Sequence, residues 1–130
     1  MLVSVDPVNV ASRRICAVTI SSNSWKVLLV KVYMPYESDA LKTDEFVDLL
    51  TIIEELVTSH SASHIIVGGD FNVDLNRERT HTALLGSFCD NTGLLPILRH
   101  PLCTVDYTYN FSMMRLMYWI IFCCLVLCSV

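Results

Sequence analysis

The feature that most constrains this chain is a double change in the spacing of its apolar residues between positions 13 and 69. Two runs rich in β-branched residues, RRICAVTI (13–20) and WKVLLVKVYM (25–34), flank the polar SSNS (21–24) and read as a hairpin. The second run is nearly continuous in apolar character, which predicts a strand covered on both faces and ended by Pro35. The spacing then lengthens. Phe46, Leu49, Leu50, Ile53, Leu56 and Val57 recur at helical intervals. ESDALKTDEF is expected to stay a loop up to Thr43, the expected N-cap, with Asp44 and Glu45 supplying negative charge to the first turn. TSHSAS (58–63) closes the helix, and HIIVGG (64–69) returns to a short buried strand. Strand, strand, helix, strand places the chain in the α/β class, with a helix covering a sheet. RTHTALLGSFCDNTGLL (79–95) predicts a second helix stopped by Gly93, and VDYTYNF (105–111) a further, aromatic strand.

Composition bounds the function. The 130 residues suit one domain of modest size. Charged residues make up 17% of the chain, against about 25% for a typical soluble domain. The apolar excess is concentrated in 116–130. The net charge is −4, and Arg13, Arg14, Arg77, Arg79 and Arg99 are scattered, so no basic stripe marks a nucleic-acid surface. Any such contact is therefore expected to be local and metal-assisted. The six cysteines form no CxxC pair and no zinc-type spacing, and read as reduced thiols that pack as small hydrophobes in an intracellular compartment. Residues 1–15 lack the charged start and apolar core of a secretory signal.

The chemistry is concentrated in HIIVGGDFNVDL (64–75). A strand that delivers polar groups at its C-terminal edge is where α/β folds place their sites. Gly68 and Gly69 are expected to allow a sharp turn and leave room for a ligand. Asp70 can bind a hard cation or orient a water molecule, and Asn72 can donate a hydrogen bond to an anionic oxygen. The plain structural alternative is a turn in which these residues bond only locally. Asp74 and Asn76 read as turn residues. His64, His81 and His100 fit no motif and read as surface or capping residues. Trp119 reads as core, and Arg77 and Arg79 as solvated surface.

IIVGGDFNVDL resembles the Asp-Phe-Asn motif of the endonuclease/exonuclease/phosphatase superfamily, a group of magnesium-dependent phosphodiesterases and phosphatases. VLLVKVYMP (27–35) resembles that family's strand ending in Tyr-x-Pro. TVDYTYNF (104–111) is similar to its late Thr-Tyr strand, and MYWIIF (117–122) sits where the family has Trp, an apolar residue and then Asp. The order and intervals agree over roughly residues 13–122, as part of a single domain spanning 1–130. GGDFNVDLNR with YMP is most similar to endonuclease domains of LINE-type, non-LTR retrotransposons. The resemblance implies a four-layer α/β/β/α sandwich of the DNase I-like kind. It implies that Asp70 orients or deprotonates the attacking water, that Asn72 holds the scissile phosphate, and that Tyr33 places its hydroxyl near a phosphate oxygen. Thr108 would be a lesser, substrate-binding member of the site wall. Magnesium would be the cofactor and DNA the partner, in the nucleus for a retroelement nuclease; no small-molecule cofactor and no protein partner is indicated.

The departures are equally specific. The family's magnesium-binding Glu lies upstream of the Tyr-x-Pro strand, yet no Glu precedes Tyr33 and Asp6 is the lone acid there. Ile121 occupies the position of the family's closing Asp, and no His follows it. Tyr36 stands where some relatives carry Asn. No metal ligand is therefore assigned. These departures imply a fragment, its N-terminal portion missing and its C-terminal end altered, with little or no activity alone. The alternatives are a small-phosphoester phosphatase of the same superfamily, or a non-catalytic protein with a weak C-terminal anchor. The uncharged stretch 116–130 is shorter than the roughly 20 residues of a spanning helix, which argues against the membrane.

Overall fold

The computed structural model describes residues 2–99, Pro101 and 125–128. The hairpin forms as the composition predicts. β2 (Ile15–Ser21) and β3 (Lys26–Tyr33) pair antiparallel, from Ile15↔Val32 to Ser21↔Lys26. β1 (Ser4–Val8), where the sequence reading placed no element, runs antiparallel along β2. Its first four residues are exposed, so no apolar alternation announces it. It is an edge strand, the position at which a sheet tolerates a residue such as Pro7.

β3 leads through helix α1 (Ala40–Ser59) into β4 (His64–Asp70), which pairs parallel with β3 from Val27↔His64 to Tyr33↔Asp70. Helix α2 (Thr80–Thr92) follows and ends on Gly93 in the left-handed conformation, as the sequence predicts. β5 (Leu95–Pro96), a short 3-10 turn at Ile97–Arg99 and β6 (Leu125–Cys128) complete the described elements. The sheet order is β1-β2-β3-β4-β6-β5, with β6 antiparallel to β4. The expected strand at 105–111, the stretch 117–122, Thr108, His100 and Trp119 lie outside the described residues. Among the described residues no helix is long and apolar enough to cross a membrane.

One face of the sheet carries the core. Ala17, Val30 and Val67 share one register row, Thr19, Leu28 and Ile65 the next. All six are buried, and the apolar ones form one cluster with Phe46, Leu49, Leu50, Ile53, Leu56 and Val57 of α1 and Leu85 and Phe88 of α2. The helical period read from the sequence therefore identifies every buried residue of α1.

Four expectations are corrected. α1 begins at Ala40, not after Thr43: Asp39 is the N-cap, its carboxylate accepting from Lys42 N at 2.9 Å. No acidic residue lies in the first turn, and Thr43 instead donates its hydroxyl back to the Asp39 carbonyl. β3 is not covered on both faces, since its residues alternate, with Leu29 39% and Tyr33 56% exposed. Gly69 serves packing within the sheet rather than ligand access. Its φ is +137°, and a Cβ there would collide with the Val32 carbonyl oxygen of β3. His81 is neither surface nor cap: it is buried between the helices, stacked on Phe46 with ring centroids 4.1 Å apart.

Candidate active site

β3 and β4 end side by side because they are parallel and in register. Tyr33 and Asp70 are therefore lateral neighbours at the C-terminal rim of the sheet, although 37 positions separate them in sequence. The backbone pairing continues one step past the strands, with Met34 N donating to the Asp70 carbonyl at 2.7 Å. Phe71 then turns into the core, where it is 1% exposed. This anchor fixes the chain between Asp70 and Asn72, both half-buried at the rim.

Asn72 adopts a left-handed backbone, φ 50°. Asn is among the few side-chain-bearing residues that accept this conformation at low cost. Two bonds hold it. Its backbone N–H donates to Asp70 Oδ1 at 2.9 Å, and its Nδ2 donates to the Met34 carbonyl at 2.8 Å. The first is the local bond of the structural alternative. The second crosses to the segment after β3, so the asparagine also ties the two strand ends together. One Nδ2 donor is spent on Met34, and a primary amide has two.

The electrostatics of the rim are mixed. Burial pushes the Asp70 carboxyl above its ordinary value, and the bond from Asn72 N–H partly offsets this. Arg14 stands beside Tyr33, its guanidinium carbon 5.4 Å from the ring centroid and Nη1 donating to the Tyr33 carbonyl at 3.3 Å. Its Nε is held by Glu45 at 2.7 Å, and Lys42 pairs with the other Glu45 oxygen at 2.9 Å. Hydrogen bonding, first from Lys42 and then from Arg14, holds the Glu45 carboxyl below its usual range. A cation thus flanks the rim in a chain of net negative charge.

Asp70, Asn72 and Tyr33 are brought together, while Thr108 lies outside the described residues. Asp74 is a turn residue as read, its carboxylate accepting from Asn76 N at 3.0 Å. Arg77 is paired to Asp74 at 3.1 Å. Sequence reasoning missed Arg14 and the Met34 carbonyl; nothing local marks either, since both act across strands. Phe71 left a readable signal, a large apolar residue placed alone between an acid and an amide.

No group of three His, Cys, Asp or Glu residues able to hold a metal ion occurs among the described residues. Asp70 is the one carboxylate of the rim trio, and one of its oxygens is engaged by Asn72. Magnesium keeps several waters and is usually bound through one or two carboxylates with substrate phosphate, so a single rim carboxylate leaves such an ion dependent on water and substrate oxygens. At the start of α2, an open groove of about 1050 Å³ is lined in part by Arg79, Arg99, Glu37 and Glu78. Two cations against two anions give it no net attraction for a polyanion.

No protein-family model and no curated protein matches the chain. Solved structures do. The endonuclease domain of TRAS1, a telomere-specific non-LTR retrotransposon, superposes with a TM-score of 0.67 at 17% identity over 97% of this chain and 54% of that one. A humanized D. rerio TDP2 superposes with a TM-score of 0.52 at 13% identity, over 94% of this chain and 51% of that one. The chain therefore has a DNase I-like fold, a partial α/β sandwich, and spans about half the length of the structures it matches.

Proposed function

We propose that the chain is part of a DNA-nicking phosphodiesterase of retroelement type, with the rim formed by Tyr33, Asp70 and Asn72 as the place where a phosphodiester is gripped. The observation that carries this reading is the convergence of those three residues at the ends of two parallel strands. It is supported by the fold shared with a retrotransposon endonuclease domain.

Each residue then has a role that its surroundings favour. Asp70 accepts a proton from a water molecule as that water's oxygen bonds to phosphorus. The opposite P–O bond breaks, and the leaving alkoxide takes a proton from solvent. Burial makes the Asp70 carboxylate a better base than an exposed one. Asn72 offers its second amide N–H to a phosphoryl oxygen as charge develops there. Tyr33, held beside the Arg14 cation, presents its hydroxyl to the same group. Magnesium, which the resemblance implies, would supply charge neutralisation of the phosphate when bound. The described donor set does not hold it unaided.

Ile121 stands where the resemblance places an Asp, which supports a chain that binds better than it turns over, since groups acting as a unit lose several orders of magnitude when one is removed. If such a chain acts as a retroelement nuclease, its place is the nucleus. Two measurements test the reading: anisotropy of a labelled DNA duplex, and nicking of supercoiled plasmid in magnesium. Asn72→Ala is expected to weaken duplex binding roughly tenfold or more, and Asp70→Ala to abolish nicking while leaving binding in place. A wild-type chain that binds no duplex, or nicking equal in the Asp70→Ala protein, overturns it.

A further inference from the structure

We infer that Glu37 is a positioning residue for the rim: its carboxylate clamps the loop that leaves β3 onto the start of α2, and so holds the Asn72 loop against the Tyr33 strand end. The importance of that geometry rests on the phosphodiester reading above.

A helix start presents backbone N–H groups that need acceptors. At α2 the N-cap position is Arg79, whose side chain makes no capping bond. Ser, Thr, Asp or Asn would normally stand there. The acceptor comes instead from a distant segment. Glu37 Oε1 accepts from Thr80 N at 3.3 Å and Oε2 from His81 N at 3.1 Å. Both carboxylate oxygens are thus used in one bridge between two loops that leave the same sheet rim. The bond from His81 N–H is the main reason the Glu37 carboxyl is held below its usual range, so the bridge stays ionised across neutral pH.

The far side of the clamp is packed against α1. His81, in the first turn of α2, is 1% exposed. Its Nε2 lies 3.2 Å from the Thr43 hydroxyl, and its ring stacks on Phe46, so α1 holds the same turn that Glu37 caps. The loop between Asp70 and α2 is tied forward as well, through the Thr82 hydroxyl donating to the Asp74 carbonyl at 3.2 Å. Displacement of the α2 start would therefore be passed to Asn72. Three bonds join the Asn72 loop and Asp70 to the chain after Tyr33: Met34 N to Asp70 O, Asn72 Nδ2 to Met34 O, and Asn72 N to Asp70 Oδ1, while Tyr33 is bonded separately to Arg14. Glu37 is the outer brace that keeps them short.

Amide hydrogen exchange on the full chain tests this directly. Glu37→Ala is expected to speed exchange at Met34 and Asn72 roughly tenfold or more, with Val30 and Ala17 in the sheet centre unchanged. Glu37→Gln, which keeps one acceptor oxygen, gives a smaller rise at the same two amides. Faster exchange at Thr80 and His81 alone would make Glu37 a mere helix cap and overturn the inference. A uniform rise that includes Val30 and Ala17 would mark general loosening and overturn it too. Duplex binding by the unaltered chain judges the phosphodiester reading separately: if binding is absent, that reading falls and the exchange pattern still decides the clamp.

Discussion

The two faces of the same sheet differ more in their surroundings than in their residues. On the helix side, Leu28, Val30 and Val32 of β3 are at most 1% exposed and lie under α1 and α2. On the other side, Pro7, Val18, Leu29 and Ile66 form one register row across four strands, and Val5, Ile20 and Val27 begin the next. These rows are as apolar as the buried ones, yet Leu29 is 39% exposed and Val5 61%. Continuous apolar character in a strand therefore reports what its two faces could bury, and says nothing of whether the described residues bury them. The candidate site lies at the rim shared by both faces, where Asp70 and Tyr33 emerge.

Three experiments probe this contrast. The largest effect is expected from Gly69→Ala, on the helix-side row that also holds Ile15 and Val32. The strained φ and the collision with the Val32 backbone should cost about 3 kcal/mol or more, read as a lowered denaturation midpoint. A paired substitution compares neighbours directly. Leu28→Ala should cost about 3 kcal/mol and Leu29→Ala about 0.5 kcal/mol, measured by urea unfolding. Equal costs would show that the open face is covered in solution.

The smallest effect is electrostatic. His81, on the helix side, has its pKa lowered by burial, so the native state favours the neutral ring. Its stabilising contribution is present above the ordinary value of 6.5 and is lost as pH falls through the lowered one. Asp70, at the rim, has its pKa raised by burial. Its contribution is complete below 3.8 and is lost as pH rises through the raised value. Thermal unfolding should accordingly show Asp70→Asn slightly more stable than wild type at neutral pH, the gain vanishing toward pH 4. His81→Leu should flatten the loss of stability below pH 6.5. The reverse order of pH dependence would show that burial does not set these two groups.

Legibility followed the range over which each feature is encoded. The period of α1, the Gly93 stop and the hairpin around 21–24 are local and were readable. The start of α1 was misplaced because Asp39 caps it from within a polar run that looks like loop, and Thr43 offered an equally plausible cap. β1 was invisible because four of its five residues face solvent. His81 carried no motif, and its burial depends on Thr43 and Phe46, both on another helix. At the site, Asp70, Asn72 and Tyr33 stood out through their residue types and their resemblance to a known pattern. Arg14 and Glu37 did not, because each acts on a segment at least 19 positions away.

The sequence by itself determined which faces of each segment are apolar, where the strands and helices lie within a few residues, and that an acid and an amide follow a glycine-paired strand. Only the tertiary structure decided that Tyr33 stands beside Asp70, that Met34 and Glu37 hold the loops at the rim, and that Gly69 must lack a side chain. The reason is physical. Spacing along one segment fixes the direction of its side chains through backbone geometry. Which segments abut, and in what register, is settled by packing among residues far apart in the chain.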